Sequence, residues 1–305
     1  MNMLSIAAAL AATAFSTPAA AAPITAQPMA TVPADVRMEH ISIVAMGSGP
    51  PLMLIPGLAS PRAVWDGVAP GLARTHRVYL VQVNGFGGDD PGANLKPAIL
   101  DGIVADLSGF LRREQSAPVR LVGHSLGGLA GLMFARAHPD QVERLMIVDS
   151  LPYFPALMAP GGEPPTVAAV EPIARAMRER VAARHGQPAD AKAIEADIAR
   201  LALKPDSKAT IAEWAAAADP RVTAQLLYED MTTDLRPSLA EIRTPITRVY
   251  PWSSSAFGKD RTLAFYQRQY AGTPTVDFVG IGEAGHFAML DQPAAFAELI
   301  GAFAD

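Results

Sequence analysis

Cysteine is missing altogether from the 305 residues, which excludes disulfides, thiolate metal sites and a cysteine nucleophile. Histidine is scarce, with six residues and no paired metal-ligand spacing, so no metal is implied and no cofactor is expected. The formal net charge is −5 and no basic run occurs, which argues against nucleic acid as a partner. Past the N-terminus, no apolar run reaches the roughly 20 residues needed to span a bilayer. The first residues, "MNMLSIAAALAATAFSTPAAAAPITA", carry no charged side chain and end in Ala-x-Ala sites. They resemble a secretory signal peptide cleaved between Ala20 and Ala26, so residues 1–26 are read as a leader and the protein as periplasmic or secreted.

Apolar residues are plentiful: half the chain is hydrophobic, enough for a substantial core. "DVRMEHISIVAMG" alternates as a strand does, whereas "PPLMLIPGLAS" and "HRVYLVQVNGFGGDD" begin as continuously apolar, fully buried strands. "AILDGIVADLSGFLRREQ" has the three-and-four spacing of an amphipathic helix. Strands alternating with helices predict a mostly parallel α/β sheet flanked by helices. Within residues 151–242 the pattern becomes Pro-rich and then Ala-rich and helical, before "TPITRVY" resumes the α/β alternation. The expectation is a core built from 27–150 and 243–305, with 151–242 inserted between two strands as a helical lid.

"VRLVGHSLGGLAGLMFARAHP" reads as strand, tight turn and helix. It places Ser125 in a G-x-S-x-G turn that presents the hydroxyl above the sheet edge, with a helix N-terminus behind it for a developing oxyanion. Serine needs a base. Of the six histidines, His286 follows a strand and precedes a terminal helix, which puts it on a loop at the sheet's carboxyl edge. His124 adjoins Ser125, and on so tight a turn its ring should diverge from the hydroxyl and serve in packing.

These segments resemble the α/β-hydrolase family, in particular its lid-bearing serine esterase-like members, from about Val36 to Asp305. "GHSLGG" and "GEAGHFAMLDQP" carry the resemblance. "LMLIPGLAS" is similar to the family's His-Gly oxyanion segment with Pro56 in place of His, and "VYLVQVNGFGGDD" to its Gly-x-Gly turn with Gln82 where Asp is common. The resemblance implies the backbone N–H groups of Leu58 and Leu126 as oxyanion donors. It also implies an acid on the loop after "TPITRVY", but that loop reads "PWSSSAFGKD", with serines where a carboxylate is expected. Three arrangements stay open. Asp149, ending "RLMIVDS", is the leading one; Asp260 could fold back; or His286 works in a dyad. Candidate pocket residues are Trp252, Phe287 and Met289, with Leu157 and Trp214 from the lid. Arg62 is the cation nearest the oxyanion loop.

The expected activity is hydrolysis of carboxylic esters bearing small or medium hydrophobic groups, with a small-molecule ester as partner. Amide, lactone or carbon–carbon bond hydrolysis on the same residues is the related alternative. A non-catalytic binding protein that kept the fold is the alternative of a different class. The sequence leaves the oligomeric state open.

Overall fold

The computed structural model describes residues 35–188 and 190–305; the expected leader, residues 1–26, lies outside them. Eight strands form one sheet: β1 Val36–Arg37, β2 Ile41–Met46, β3 Pro51–Ile55, β4 Arg77–Val83, β5 Val119–His124, β6 Val142–Val148, β7 Ile246–Trp252 and β8 Val276–Gly282. Their order is β1-β2-β4-β3-β5-β6-β7-β8. β2 pairs antiparallel with both β1 and β4, and the strands from β3 to β8 run parallel. The mostly parallel α/β sheet anticipated from the strand–helix alternation is the fold observed.

One local expectation changes. "DVRMEHISIVAMG" forms two short strands joined by a turn. Met38 N–H donates to the Ile41 carbonyl at 2.8 Å. The Asp106 carboxylate accepts from the N–H groups of His40 (2.7 Å) and Ile41 (3.3 Å). Those bonds capture backbone donors that a continuous strand would spend on a neighbour.

The α-helices are α1 Ala69–Leu72, α2 Ile99–Arg113, α3 Leu126–Ala137, α4 Val167–Ala182, α5 Ala191–Ile198, α6 Pro205–Ala217, α7 Pro220–Thr232, α8 Gly258–Gln269, α9 Ala288–Asp291 and α10 Pro293–Ala304. The parallel strands are apolar on both faces, so the sheet has two buried layers. On one face Met53, Leu121, Leu145 and Ile147 pack with Ile103 and Leu107 of α2 and Leu129 of α3. On the other, Leu54, Val122, Met146 and Val148 pack with Leu72, Phe296 and Ile300. Strand order reverses about β3, with β4 on one side and β5 on the other. The loops after β3 and β5 therefore meet beyond the strands' carboxyl ends, where such sheets form a crevice.

Helices α4 to α7 all lie between β6 and β7. Two carboxylates fasten this segment to the sheet domain. Glu229 of α7 accepts from the N–H groups of Ala98 (2.8 Å), Ile99 (3.0 Å) and Leu100 (2.8 Å), which are open donors at the start of α2. Asp291, completely buried, accepts from Leu203 N–H (2.8 Å) and Lys204 N–H (3.1 Å) at the start of α6, and from Gly285 N–H (2.9 Å). Burial alone would raise the Asp291 carboxyl; these N–H donors outweigh it and hold it below the usual range.

Candidate active site

Ser125 sits between β5 and α3 with φ 53° and ψ −123°, a strained conformation for a residue with a Cβ. The strain is sustained because the flanking glycines let three backbones crowd together. A Cβ on Gly123 would strike the backbone of Gly127, and one on Gly127 would come within 2.6 Å of the Pro56 carbonyl oxygen. Ser125 N–H donates to Val148 O (2.9 Å), and Ser125 O accepts from Gly128 N–H (2.7 Å). The turn is thus pinned to β6 on one side and to the first turn of α3 on the other. Among the described residues neither Leu58 N–H nor Leu126 N–H has a hydrogen-bond acceptor, so both remain available to an incoming oxygen.

The segment carrying Leu58 is shaped by Gln82. Its side-chain oxygen accepts from Arg62 N–H (2.6 Å), while its amide donates to Phe86 O (2.7 Å). Gln82 therefore ties the loop after β3 to the turn after β4. Arg62 itself is occupied: it pairs with Asp35 at 3.3 Å and donates to the Ser42 hydroxyl. This cation, which the sequence places near the oxyanion loop, is spent on the sheet's first strands.

His286 lies on the loop after β8, and its Nδ1 is 2.6 Å from Asp149 Oδ2. Asp149 follows β6 with φ 47°, held there by its N–H donating to Val249 O (3.0 Å). Burial would raise the Asp149 carboxyl. The hydrogen bond and charge interaction with His286, the Arg248 guanidinium and the Tyr266 hydroxyl outweigh it and hold the group at about 2. An ionised carboxylate only accepts, so Nδ1 of His286 carries a proton toward it. No hydrogen bond joins Nε2 to Ser125 Oγ among the described residues; contacts of this kind tighten as a substrate is engaged.

His124 is fully buried, and its Nε2–H donates to the His286 carbonyl at 3.0 Å. Its ring lies 4.6 Å from the His286 ring and 4.8 Å from that of Phe287. Desolvation, then repulsion from His286, push it down to about 3, so it is a neutral support beneath the loop. Asp230 of α7 also faces this corner. Burial pushes it up to about 7, opposed by His286, and no side-chain hydrogen bond or ion pair engages it among the described residues.

The sequence candidates separate into groups. Ser125, Leu126, Leu58, His286 and Asp149 gather where the loops after β3, β5, β6 and β8 converge. Phe287 packs against both His124 and His286. Trp252 adjoins the His286 loop through its carbonyl, which accepts from Ala284 N–H (3.2 Å). Trp214 lies against Phe287 with ring centroids 6.2 Å apart. Trp214 and Met289 line a cleft of about 210 Å³ whose walls, including Val64 and Pro293, lack both Ser125 and His286. Leu157 is 49% exposed, and no contact places it at Ser125. Asp260 is exposed in the first turn of α8, and nothing brings it to His286. In the serine loop, Ser253 Oγ pairs with Ser255 Oγ (2.7 Å) and Ser254 N–H donates to Glu283 (3.1 Å), so these hydroxyls serve the loop.

Arg248, Tyr266, Asp230 and Asp291 escaped the sequence reading. A signal existed for Arg248. It occupies an alternate position of an apolar strand, between Ile246 and Tyr250, where an inward charge demands a partner. Asp230 follows Glu229 on a polar helix turn and gave no such signal, and Asp291 lay unremarked in "GEAGHFAMLDQP".

The family model for the alpha/beta hydrolase family matches residues 52–299, and the chain belongs to that family. It is similar to the pimeloyl-[acyl-carrier protein] methyl ester esterase of Aeromonas hydrophila, with 28% identity over 270 residues, 86% of this chain and 98% of the relative. Among solved structures, a thermophilic esterase from Thermogutta terrifontis superposes with TM-score 0.71 at 22% identity, covering 88% of this chain and 97% of that one. The enol-lactonase from Burkholderia xenovorans gives TM-score 0.67 at 18% identity, covering 86% and 95%. At these identities the structural likeness is one of fold. Among the described residues, no helix is long and apolar enough to cross a membrane.

Proposed function

We propose that this protein is a serine hydrolase cleaving carboxylic esters of small or medium hydrophobic groups. The observation that carries the reading is the 2.6 Å contact between His286 Nδ1 and ionised Asp149, beside a strained Ser125 on a G-x-S-x-G turn. Nε2 of His286 takes the Ser125 proton as Oγ attacks the ester carbonyl. The tetrahedral oxygen is received by the N–H groups of Leu58 and Leu126, each contributing about 3 kcal/mol to the transition state. His286 then protonates the departing alcohol, leaving an acyl group on Ser125. A water deprotonated by Nε2 releases the acid and restores the serine. Asp149 holds the imidazole in the Nδ1–H tautomer and offsets its transient charge.

The inserted helices α4–α7 act in this reading as a lid, with Trp252 and Phe287 as the apolar wall beside His286. The esterase name of the Aeromonas relative, matched over nearly its whole length, supports ester cleavage over amide or carbon–carbon cleavage. The test is labelling by a fluorophosphonate together with turnover of a nitrophenyl ester series from acetate to octanoate. Parent protein labels on Ser125 and turns over the shorter esters, while Ser125→Ala does neither. A folded parent that neither labels nor hydrolyses any of the series rejects the enzyme in favour of a binding protein.

A further inference from the structure

Arg248 is the one arginine wholly buried among the described residues, and ester hydrolysis as set out above does not use it. It lies on β7 in the register of Ile246 and Tyr250, both of which point into the layer shared with α8. Its guanidinium carbon stands 3.8 Å from the Tyr266 ring centroid and 5.7 Å from that of Tyr270, both on α8. Nη1 donates to the carbonyls of Ile147 (3.3 Å) and Val249. Nη2 lies 3.5 Å from Asp149 Oδ1 and, like Nε, has no hydrogen-bond acceptor. Asp149 Oδ1 also accepts from the Tyr266 hydroxyl. The two carboxylate oxygens are thus divided: Oδ2 faces His286, and Oδ1 faces Arg248 and Tyr266.

A full charge in an apolar layer is costly unless matched, and among the described residues Asp149 is the only carboxylate paired with Arg248. We propose that Arg248 is a positioning residue for hydrolysis: stacked on Tyr266 and paired with Asp149 Oδ1, it holds the carboxylate so that Oδ2 is aimed at His286 Nδ1. This rests on the Ser125–His286 reading of the site. Physically, an isolated carboxylate in this layer would take up a proton, or would favour a charged imidazolium as its own counterion. The fixed cation removes both tendencies.

The charged and titratable groups facing His286 and Asp149 come from five elements. They are His124 at the end of β5, Asp149 after β6, Arg248 on β7, Asp230 on α7, and Tyr266 and Tyr270 on α8. His124 is neutral because desolvation depresses it, and burial raises both tyrosines. Asp149 is therefore ionised at this corner, and burial raises the Asp230 carboxyl to about 7.

The experiment measures the second-order rate of Ser125 labelling by a fluorophosphonate from pH 4.5 to 9, in parent protein and in Arg248→Met, Arg248→Gln and Arg248→Lys, all with Asp230 intact. Because the probe reports Ser125 directly, no natural substrate is required. In Arg248→Met the plateau rate falls at least about tenfold and the acid limb moves up by about one pH unit. Arg248→Gln, which retains donors for the Ile147 and Val249 carbonyls but loses the charge, shows the same displacement and serves where the methionine variant does not fold. Arg248→Lys restores the limb to the parent position. Folded Met or Gln variants with the parent's limb and plateau overturn the proposal, and so does a Lys variant displaced as far as the neutral ones. A parent that fails to label Ser125 overturns the underlying serine reading as well, which separates the two failures.

Discussion

The two halves of the site are built in opposite ways. The Ser125 half is local: a strand, a turn and a helix contiguous in the chain, with shape enforced by two glycines whose missing Cβ atoms make room for backbone. The His286–Asp149 half is assembled from β6, β7, β8, α7 and α8, and is held by charge and hydrogen bonds, its central pair lying 137 positions apart. Steric necessity governs the first half and electrostatic matching the second. They should therefore fail differently when perturbed.

The largest effect is expected in the charge-matched half. Asp149→Asn removes the negative charge and lets the amide impose the wrong tautomer on His286. The turnover number for a nitrophenyl ester should fall about 10³- to 10⁴-fold with the fold intact, whereas Asp260→Asn should stay within about twofold. Near-parental kinetics for the Asp149 variant would dissolve the distinction between the halves. In the steric half, Gly127→Ala should act on stability and activity together, because its methyl group enters the space of the Pro56 carbonyl. Chemical denaturation should show a loss of roughly 3 kcal/mol, and a stable, active variant would mean that the turn tolerates relaxation.

The smallest effect sharpens the comparison. Asp230 has a folded-state carboxyl raised to about 7, so the folded protein holds its proton more tightly than the unfolded chain does. The contribution is neutral to favourable below about pH 4, becomes progressively unfavourable between about 4 and 7, and is fully unfavourable above. Asp230→Asn should therefore raise Tm at pH 8 by roughly 2–4 °C and leave it nearly unchanged at pH 4. An equal gain at both pH values would show that the effect comes from packing and not from charge.

The same division explains what could be read from the sequence. The sheet and the Ser125 turn follow from apolar runs and a strand–turn–helix pattern, which are local and periodic. The place of His286, on the loop after a strand at the sheet's carboxyl edge, was legible for the same reason. The choice between Asp149 and Asp260 rested on a resemblance, since one-dimensional spacing cannot tell which carboxylate turns toward an imidazole. Arg248 was visible only as an odd letter in "TPITRVY", because its meaning depends on Tyr266 and Asp149, which enter from other elements. The turn inside "DVRMEHISIVAMG" was hidden for a related reason: it depends on Asp106, far along the chain. Gln82 appeared as a departure from the family's usual Asp, yet its amide can both donate and accept, which is the chemistry needed to join two loops.

Asp291 carries a practical consequence for anyone recombining this protein. One carboxylate serves the start of α6 in the inserted segment and the residue just before His286, so the two regions are not independent modules. A chimera that exchanged 151–242 for the corresponding stretch of another family member would put two of the three hydrogen bonds at a single buried acid at risk and leave the loop bearing the imidazole with the Gly285 bond alone. Such a graft should be designed with the backbone of Leu203 and Lys204 kept as a fixed socket, and with its crossover points outside it.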